Sequence, residues 1–292
     1  MFTGTYTALV SPFRDGKIDE QAFETLIEDQ IAGGVDGIVP VGTTGESPTV
    51  DSEEHIHLID LAVRFTKGRV KVIAGTGSNS TAEAISLSQQ AAEKGVDGLL
   101  VVNPYYNKPS QEGLFRHYQA IANSVPLPIM LYSVPGRTCG EISIETVLRL
   151  ASEIPNIVSL KEAGGNVDRT SQLCAAVPKH FTVLSGDDAL TLPFLSVGAV
   201  GVVSVASNLI PGEISKMVTS HRAGQTVEAL ALHRRYSSLF KNLFIEPNPV
   251  PAKTALEWMG KMTAEVRLPL CEMSAENSQI LRGTLEKLHL IS

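Results

Sequence analysis

GGVDGIV at 33–39 returns, loosely, as KGVDGLL at 94–100 and VGAVGVV at 197–203. Each copy leads the end of a helix-period segment through glycine into a short aliphatic run. The copies lie tens of residues apart, as repeated βα units would place them. Working outward, runs of the same kind occur eight times: TYTALVS (5–11), GIVPVG (37–42), VKVIAGT (70–76), GLLVVNP (98–104), PIMLYSV (128–134), IVSLKEA (157–163), FTVLSGD (181–187) and GVVSVAS (201–207). They are too short for helices and too continuous for half-exposed strands, which suits a parallel sheet covered on both faces. Helix-period segments lie between them, such as DEQAFETLIEDQIAGG and SEEHIHLIDLAVRFTKG, several opening on Asp, Ser or Thr before Glu and several stopping at Gly. Eight such units predict an α/β fold, a (β/α)8 barrel. A doubly wound sheet is the alternative, but its GxGxxG fingerprint is missing from the first strand–helix turn.

Beyond the eighth run the sequence reads as helical, in ISKMVTSHRAG, TVEALALHRRYSSLFKNLF, VPAKTALEWMGKM and SAENSQILRGTLEKL. The proline-rich IEPNPVP at 245–251 breaks this region. The expected organisation is 1–207 for the barrel strands and their intervening helices. Residues 208–292 then form the last barrel helix and a C-terminal helical extension, packed on the barrel or serving as an oligomer surface.

Composition narrows the class. With 292 residues, 43% of them hydrophobic, the chain can bury a core of its own. Acidic residues outnumber basic ones 31 to 24 and no basic run occurs, which argues against nucleic acid or an anionic membrane as partner. No apolar stretch approaches the roughly 20 residues of a spanning helix. The opening MFTGTYTALV has no basic leader ahead of its apolar residues, so a soluble, cytoplasmic protein is expected. Cys139, Cys174 and Cys271 form no CxxC pair, which favours a reduced compartment. Cys139, in RTCGE, raises the question of a thiol nucleophile, but with no neighbouring base a small filler residue is the better reading.

In a barrel of this kind the loops after the strands build the active site. Lys161 closes the sixth run. An amine there points towards the barrel mouth, partly out of water, and desolvation discourages an ammonium, as imine formation requires. A lysine snorkelling at the rim is the plain alternative; pairing with Glu162 is not, because adjacent strand residues face opposite sides. The loop GTTGES at 42–47 sets Thr43 and Thr44 between glycines, so hydroxyls and amides can converge on a carboxylate or carbonyl oxygen. A helix N-cap would explain one of those hydroxyls but not both. Tyr132 ends the fifth run and could pass protons, and Arg137 could hold a carboxylate bidentately. Taken singly, they read equally as packing and surface charge. Tyr105 and Tyr106 crown the loop after the fourth run, where paired aromatics suit packing, an interface, or one hydroxyl reaching the site.

Metal readings fare worse. The HIH at 55–57 puts its rings on different faces of a helix, HExxH and a P-loop are missing, and the GDD at 186–188 reads as an N-cap pair as readily as a cation site. No metal is expected.

GTTGES (42–47), PYYNKPSQEGL (104–114), LYSVPGRT (131–138) and IVSLKEA (157–163) together resemble the class I pyruvate-dependent aldolase superfamily, which includes N-acetylneuraminate lyase, and within it the dihydrodipicolinate synthase family. The likeness runs from MFTGTYTALVSPF to EPNPVPAK (246–253). It implies a lyase that condenses pyruvate with L-aspartate 4-semialdehyde in lysine and diaminopimelate biosynthesis, through a covalent imine with no other cofactor. On that resemblance Lys161 matches the Schiff-base lysine, and Tyr132, Thr43 and Tyr106 a proton relay, with Tyr106 supplied by a neighbouring subunit. Thr44 matches the residue holding the pyruvate carboxylate, Arg137 the arginine receiving the semialdehyde carboxylate, and Gly186 and Val203 the pyruvate pocket. Ser47, His55, Asn79, Glu83 and Tyr105 match a lysine-binding cleft, and a homotetramer built as a dimer of dimers is implied.

Three positions depart from the family pattern. Ser133 stands where Asn is commoner, Ser52 where the lysine-sensitive pattern has His, and Pro48 where it has Ala. Altered pocket hydrogen bonding and weak lysine sensitivity are the corresponding expectations. A related aldolase for 2-keto-3-deoxy sugar acids or sialic acid, and a non-catalytic keto-acid-binding regulator, are the competing functions. Arg137 speaks against the first, and the retained Lys161 and Tyr132 against the second.

Overall fold

The computed structural model describes residues 2–292. Eight parallel strands close into a barrel: β1 (Gly4–Ala8), β4 (Gly37–Val39), β5 (Lys71–Gly75), β6 (Gly98–Val102), β7 (Ile129–Ser133), β8 (Ile157–Glu162), β9 (Thr182–Ser185) and β10 (Gly201–Ser204). Closure is made where β1 pairs with β4 on one side and β10 on the other, Tyr6 facing Gly37 and Gly4 facing Gly201. A short hairpin, β2 (Phe13–Arg14) with β3 (Lys17–Ile18), stands outside the barrel. Its turn residues Asp15 and Gly16 both have positive φ.

The helices α1 (Glu20–Ala32), α2 (Ser52–Thr66), α3 (Thr81–Glu93), α4 (Gln111–Ser124), α5 (Pro135–Thr138), α6 (Ile144–Glu153), α7 (Val167–Ala176), α8 (Thr191–Ser196) and α9 (Pro211–Arg222) follow the strands. Caps written in the sequence start them. Asp51 accepts from the amides of Glu53 and Glu54, while Glu54 reaches back to the Asp51 amide, and Ser80 and Ser110 cap α3 and α4. The repeated VDG motif has a shared job. Asp36 accepts the Thr5 amide and Asp97 the Val72 amide, both at 2.8 Å, so each ties its own unit to the preceding strand.

The C-terminal region comprises α10 (Thr226–Asn242), α11 (Val250–Trp258) and α12 (Ala275–Lys287). α10 packs on α9, and α12 on α10 and α11. Of the two uses open to this region, packing on the barrel is the one α11 adopts: Val250 to Leu256 are all buried, Lys253 included. Among the described residues no helix is long and apolar enough to cross a membrane.

Candidate active site

β7 and β8 run in register with Tyr132 opposite Lys161, so the two side chains share the face turned into the barrel mouth. The Lys161 amine stands 4.2 Å from the Tyr132 ring centroid, and the residue is 5% exposed. Glu162 points the other way, as strand alternation requires. It accepts from the Gly164 amide at 2.8 Å and from Arg169 Nε at 3.2 Å, and burial pushes its carboxyl up against the pull of that guanidinium. Ser133, on the same outward face, is fully buried, and its hydroxyl has no partner among the described residues. Gly186, just past β9, borders Lys161 so closely that a Cβ there would fall 2.9 Å from Lys161 Cε. Only glycine leaves the lysine stem its place.

The loop after β4 is a strained turn held from outside the barrel. Val41 and Glu46 both have left-handed backbone, at φ 52° and 56°, which a β-branched residue adopts only where its surroundings impose it. Gly45 and Gly75 pack against the Val41 backbone, where a Cβ would come within 2.9 Å and 2.5 Å of it. Across the loop, Lys253 on α11 donates to Glu46 Oε1 at 2.7 Å, with both side chains fully buried. The Arg267 amide donates to Glu46 Oε2 at 3.1 Å, and the Arg267 guanidinium reaches the Thr49 carbonyl and the Glu54 carboxylate. Desolvation lowers the Lys253 pKa from its ordinary value, opposed by Glu46. Asn248, from the turn before α11, donates through Nδ2 to Thr44 Oγ1 at 3.0 Å.

These pieces enclose a cavity of 140 Å³ whose walls include Thr43, Thr44, Tyr132, Arg137, Lys161 and Gly186. Arg137 comes from the single-turn α5, which Thr138 steadies by donating to the Val134 and Gly140 carbonyls. Asp187, Val205, Phe244 and Asn248 also line it; Asp187 belongs to the GDD at 186–188, and the other three do not stand out in the sequence. Val203 is buried within β10, and the wall in that sector carries Val205. Tyr106 is not among the lining residues either: it stands 91% exposed on the loop after β6, with φ 71°. Thr43 and Tyr132 also meet in a smaller space behind the cavity, beside Ser47 and Gly77.

A second cleft of about 70 Å³ shares Ser47 and Gly77 with that space and is bounded further by His55, Glu83 and Tyr105, with Pro48 and Ser52 in its wall. Asn79 does not line it; its carbonyl accepts from Asn107 Nδ2. His55 Nε2 meets the Gly75 carbonyl at 2.8 Å, and burial lowers its pKa.

Of the remaining candidates, His57 is exposed and paired with Glu20, so the HIH rings do diverge. Asp188 is buried, accepting the Ser204 hydroxyl and the amides of Val205 and Ala206, at the start of the one-turn 3-10 helix Ala206–Asn208. Cys139 is exposed in a left-handed position at the end of α5. Among the described residues, no three His, Cys, Asp or Glu side chains are grouped to hold a metal.

Residues 1–288 match the dihydrodipicolinate synthetase family as a whole. A solved 4-hydroxy-tetrahydrodipicolinate synthase from the thermoacidophilic methanotroph Methylacidiphilum fumariolicum SolV is 55% identical, with all of both chains covered and a TM-score of 0.98. The 4-hydroxy-tetrahydrodipicolinate synthase of Aquifex aeolicus is 49% identical over 99% of each chain. A dihydrodipicolinate synthase from Cyanidioschyzon merolae, solved with lysine bound, is 44% identical over 99% of each chain, with a TM-score of 0.96. Barrel, cavity and likeness along the full length agree: the chain belongs to the dihydrodipicolinate synthetase family.

Proposed function

We propose that the cavity around Lys161 condenses pyruvate with L-aspartate 4-semialdehyde to 4-hydroxy-tetrahydrodipicolinate, the step that commits carbon to lysine and diaminopimelate. The observation that carries this reading is the buried Lys161 amine at the closed end of a cavity with Thr43, Thr44 and Tyr132 beside it and Arg137 at its mouth. The Lys161 amine adds to the pyruvate carbonyl carbon and water leaves, giving a cationic imine. That nitrogen is the electron sink, so the chemistry asks for no metal or organic cofactor. A methyl proton departs to give the enamine, whose carbon attacks the aldehyde. The semialdehyde's own amine then adds to the imine carbon and releases Lys161, closing the ring. Each step moves a proton between oxygen, nitrogen or carbon, which gives the Tyr132 and Thr43 hydroxyls their work. Thr44 and the neighbouring loop amides hold the pyruvate carboxylate, and Arg137 takes the second carboxylate in a bidentate pair. A polyol substrate would leave that guanidinium without a partner.

The relay is completed by Tyr106 of a second copy in a homotetramer of paired dimers, which accounts for a tyrosine held in left-handed backbone and almost fully exposed on one chain. The second cleft is a lysine site of low affinity, with Pro48 and Ser52 in place of better liners.

Borohydride reduction in the presence of pyruvate, followed by peptide mass spectrometry, tests the imine. A pyruvate adduct on Lys161, lost in a folded Lys161→Ala variant, is the expected result. Folded protein that traps no adduct would falsify the reading.

A further inference from the structure

We infer that Asn248 is a positioning residue for the pyruvate carboxylate, acting through the hydroxyl of Thr44. This rests on the reading that Thr44 holds that carboxylate. A hydroxyl carries one hydrogen and two lone pairs. The Asn248 Nδ2–H occupies one lone pair of Thr44 Oγ1 at 3.0 Å, so the threonine hydrogen is left to be given away. Both residues line the cavity that holds Lys161, so the direction open to that hydrogen is towards the ligand.

Two further observations separate this role from packing. Asn248 is 5% exposed, yet its Oδ1 has no partner among the described residues. A buried amide end without a partner calls for an explanation, and on the wall of this cavity a bound ligand supplies one. The contact is also fixed from both sides: the buried Lys253–Glu46 pair joins the segment five residues after Asn248 to the segment two residues after Thr44. The 204-residue separation between amide and hydroxyl is therefore bridged by a rigid anchor. Were the amide turned over, Oδ1 would take the threonine hydrogen and the carboxylate would face a lone pair.

The test is the pyruvate concentration that half-saturates borohydride trapping on Lys161, read by mass spectrometry. It is measured in the full chain and in Asn248→Ala, Asn248→Asp, Thr44→Val and the Asn248→Ala/Thr44→Val double variant. Asn248→Ala is expected to raise the half-saturating concentration about tenfold while leaving the plateau of trapped protein unchanged. Asn248→Asp raises it further, because a carboxylate claims the threonine hydrogen and adds a like charge. The double variant is expected to bind pyruvate no worse than Thr44→Val, since the amide has nothing left to orient. Half-saturation within twofold of the unaltered chain in Asn248→Ala overturns the inference, as does a double variant in which the two effects multiply. If Asn248→Ala does not fold, the near-isosteric Asn248→Asp decides by the same readout. An unaltered chain that traps nothing sinks the imine itself. One that traps normally, with variants that also bind normally, sinks only the role of Asn248.

Discussion

The loop after β4 buries Glu46 against Lys253 at 2.7 Å and lends Thr44 to Asn248, contacts that span 207 and 204 residues. The loop after β6 leaves Tyr106 91% exposed, sets Tyr106 and Lys108 at positive φ, and is tied to its neighbours on the rim, by Asn103 Nδ2 to the Gly140 carbonyl and Asn107 Nδ2 to the Asn79 carbonyl. Both loops belong to one rim, and both carry a hydroxyl assigned above to the proton relay. The first is completed by the chain's own C-terminal segment; the second, in the assembly proposed above, is completed by a second copy. A loop of the first kind draws its accuracy from the stability of the monomer. A loop of the second kind draws it from assembly, so damage to the two should appear in different measurements.

Breaking the anchor should have the largest effect. Glu46→Gln keeps the side-chain volume but leaves a buried ammonium without its counter-charge, and about 3–5 kcal/mol of stability to urea should be lost. Neutralising both partners, in Glu46→Gln/Lys253→Met, should cost less than the single change, because no uncompensated charge remains. A single variant within about 1 kcal/mol of the parent would show that the ion pair does not hold the loop.

The open loop should answer in the opposite way. Tyr106→Phe removes one oxygen from an exposed ring, so the urea midpoint should shift by no more than about 0.5 kcal/mol. Condensation turnover should nevertheless fall about a hundredfold, the ordinary worth of a positioned proton-transfer group. A variant that loses stability and keeps its turnover would reverse the contrast between the loops.

The same contrast explains what was legible in the sequence. All eight barrel strands could be placed because their aliphatic runs are continuous, but each run overshoots. TYTALVS reaches residue 11 while β1 stops at Ala8: the Leu9 amide still bonds the Val39 carbonyl of β4, but the Val10 amide turns to the Asn208 side chain. The hairpin around Asp15–Gly16 carries a turn signal in its Asp-Gly pair, but its two-residue strands are too short to show a pattern. Lys161 and Tyr132 could be placed because each sits at a strand end whose position follows from local pattern, and Thr43 and Thr44 because their glycine-flanked loop follows such a strand. Asn248 could not. IEPNPVP announces a break between helices, and nothing local says that its asparagine meets a threonine some two hundred residues earlier. Nor does anything local in GTTGES say that Glu46 pairs with a lysine that α11 carries into the core.

The base of the open loop offers the smallest and most selective test. His117 on α4 meets Thr81 at the start of α3 through Nδ1 at 2.9 Å, which joins the two helices beneath Tyr105 and Tyr106. Burial pulls its pKa down from 6.5 to about 4. Between those values the unfolded chain takes up a proton that the folded chain refuses, so stability falls as the pH drops from about 6.5 towards 4 and is fully present above that window. From pH 7 to 4.5 this group should account for about 2 kcal/mol of lost stability. His55 acts with the same sign, so the total slope does not isolate His117. His117→Asn does: it can keep a polar contact to Thr81 and cannot titrate, so its urea stability should decline less steeply over the same interval, by that amount. Equal slopes in parent and variant would mean that His117 is protonated in the folded chain. The base of the open loop would then be as tolerant of charge as its tip, and the difference between the two loops would lie in their ties to the C-terminal segment alone.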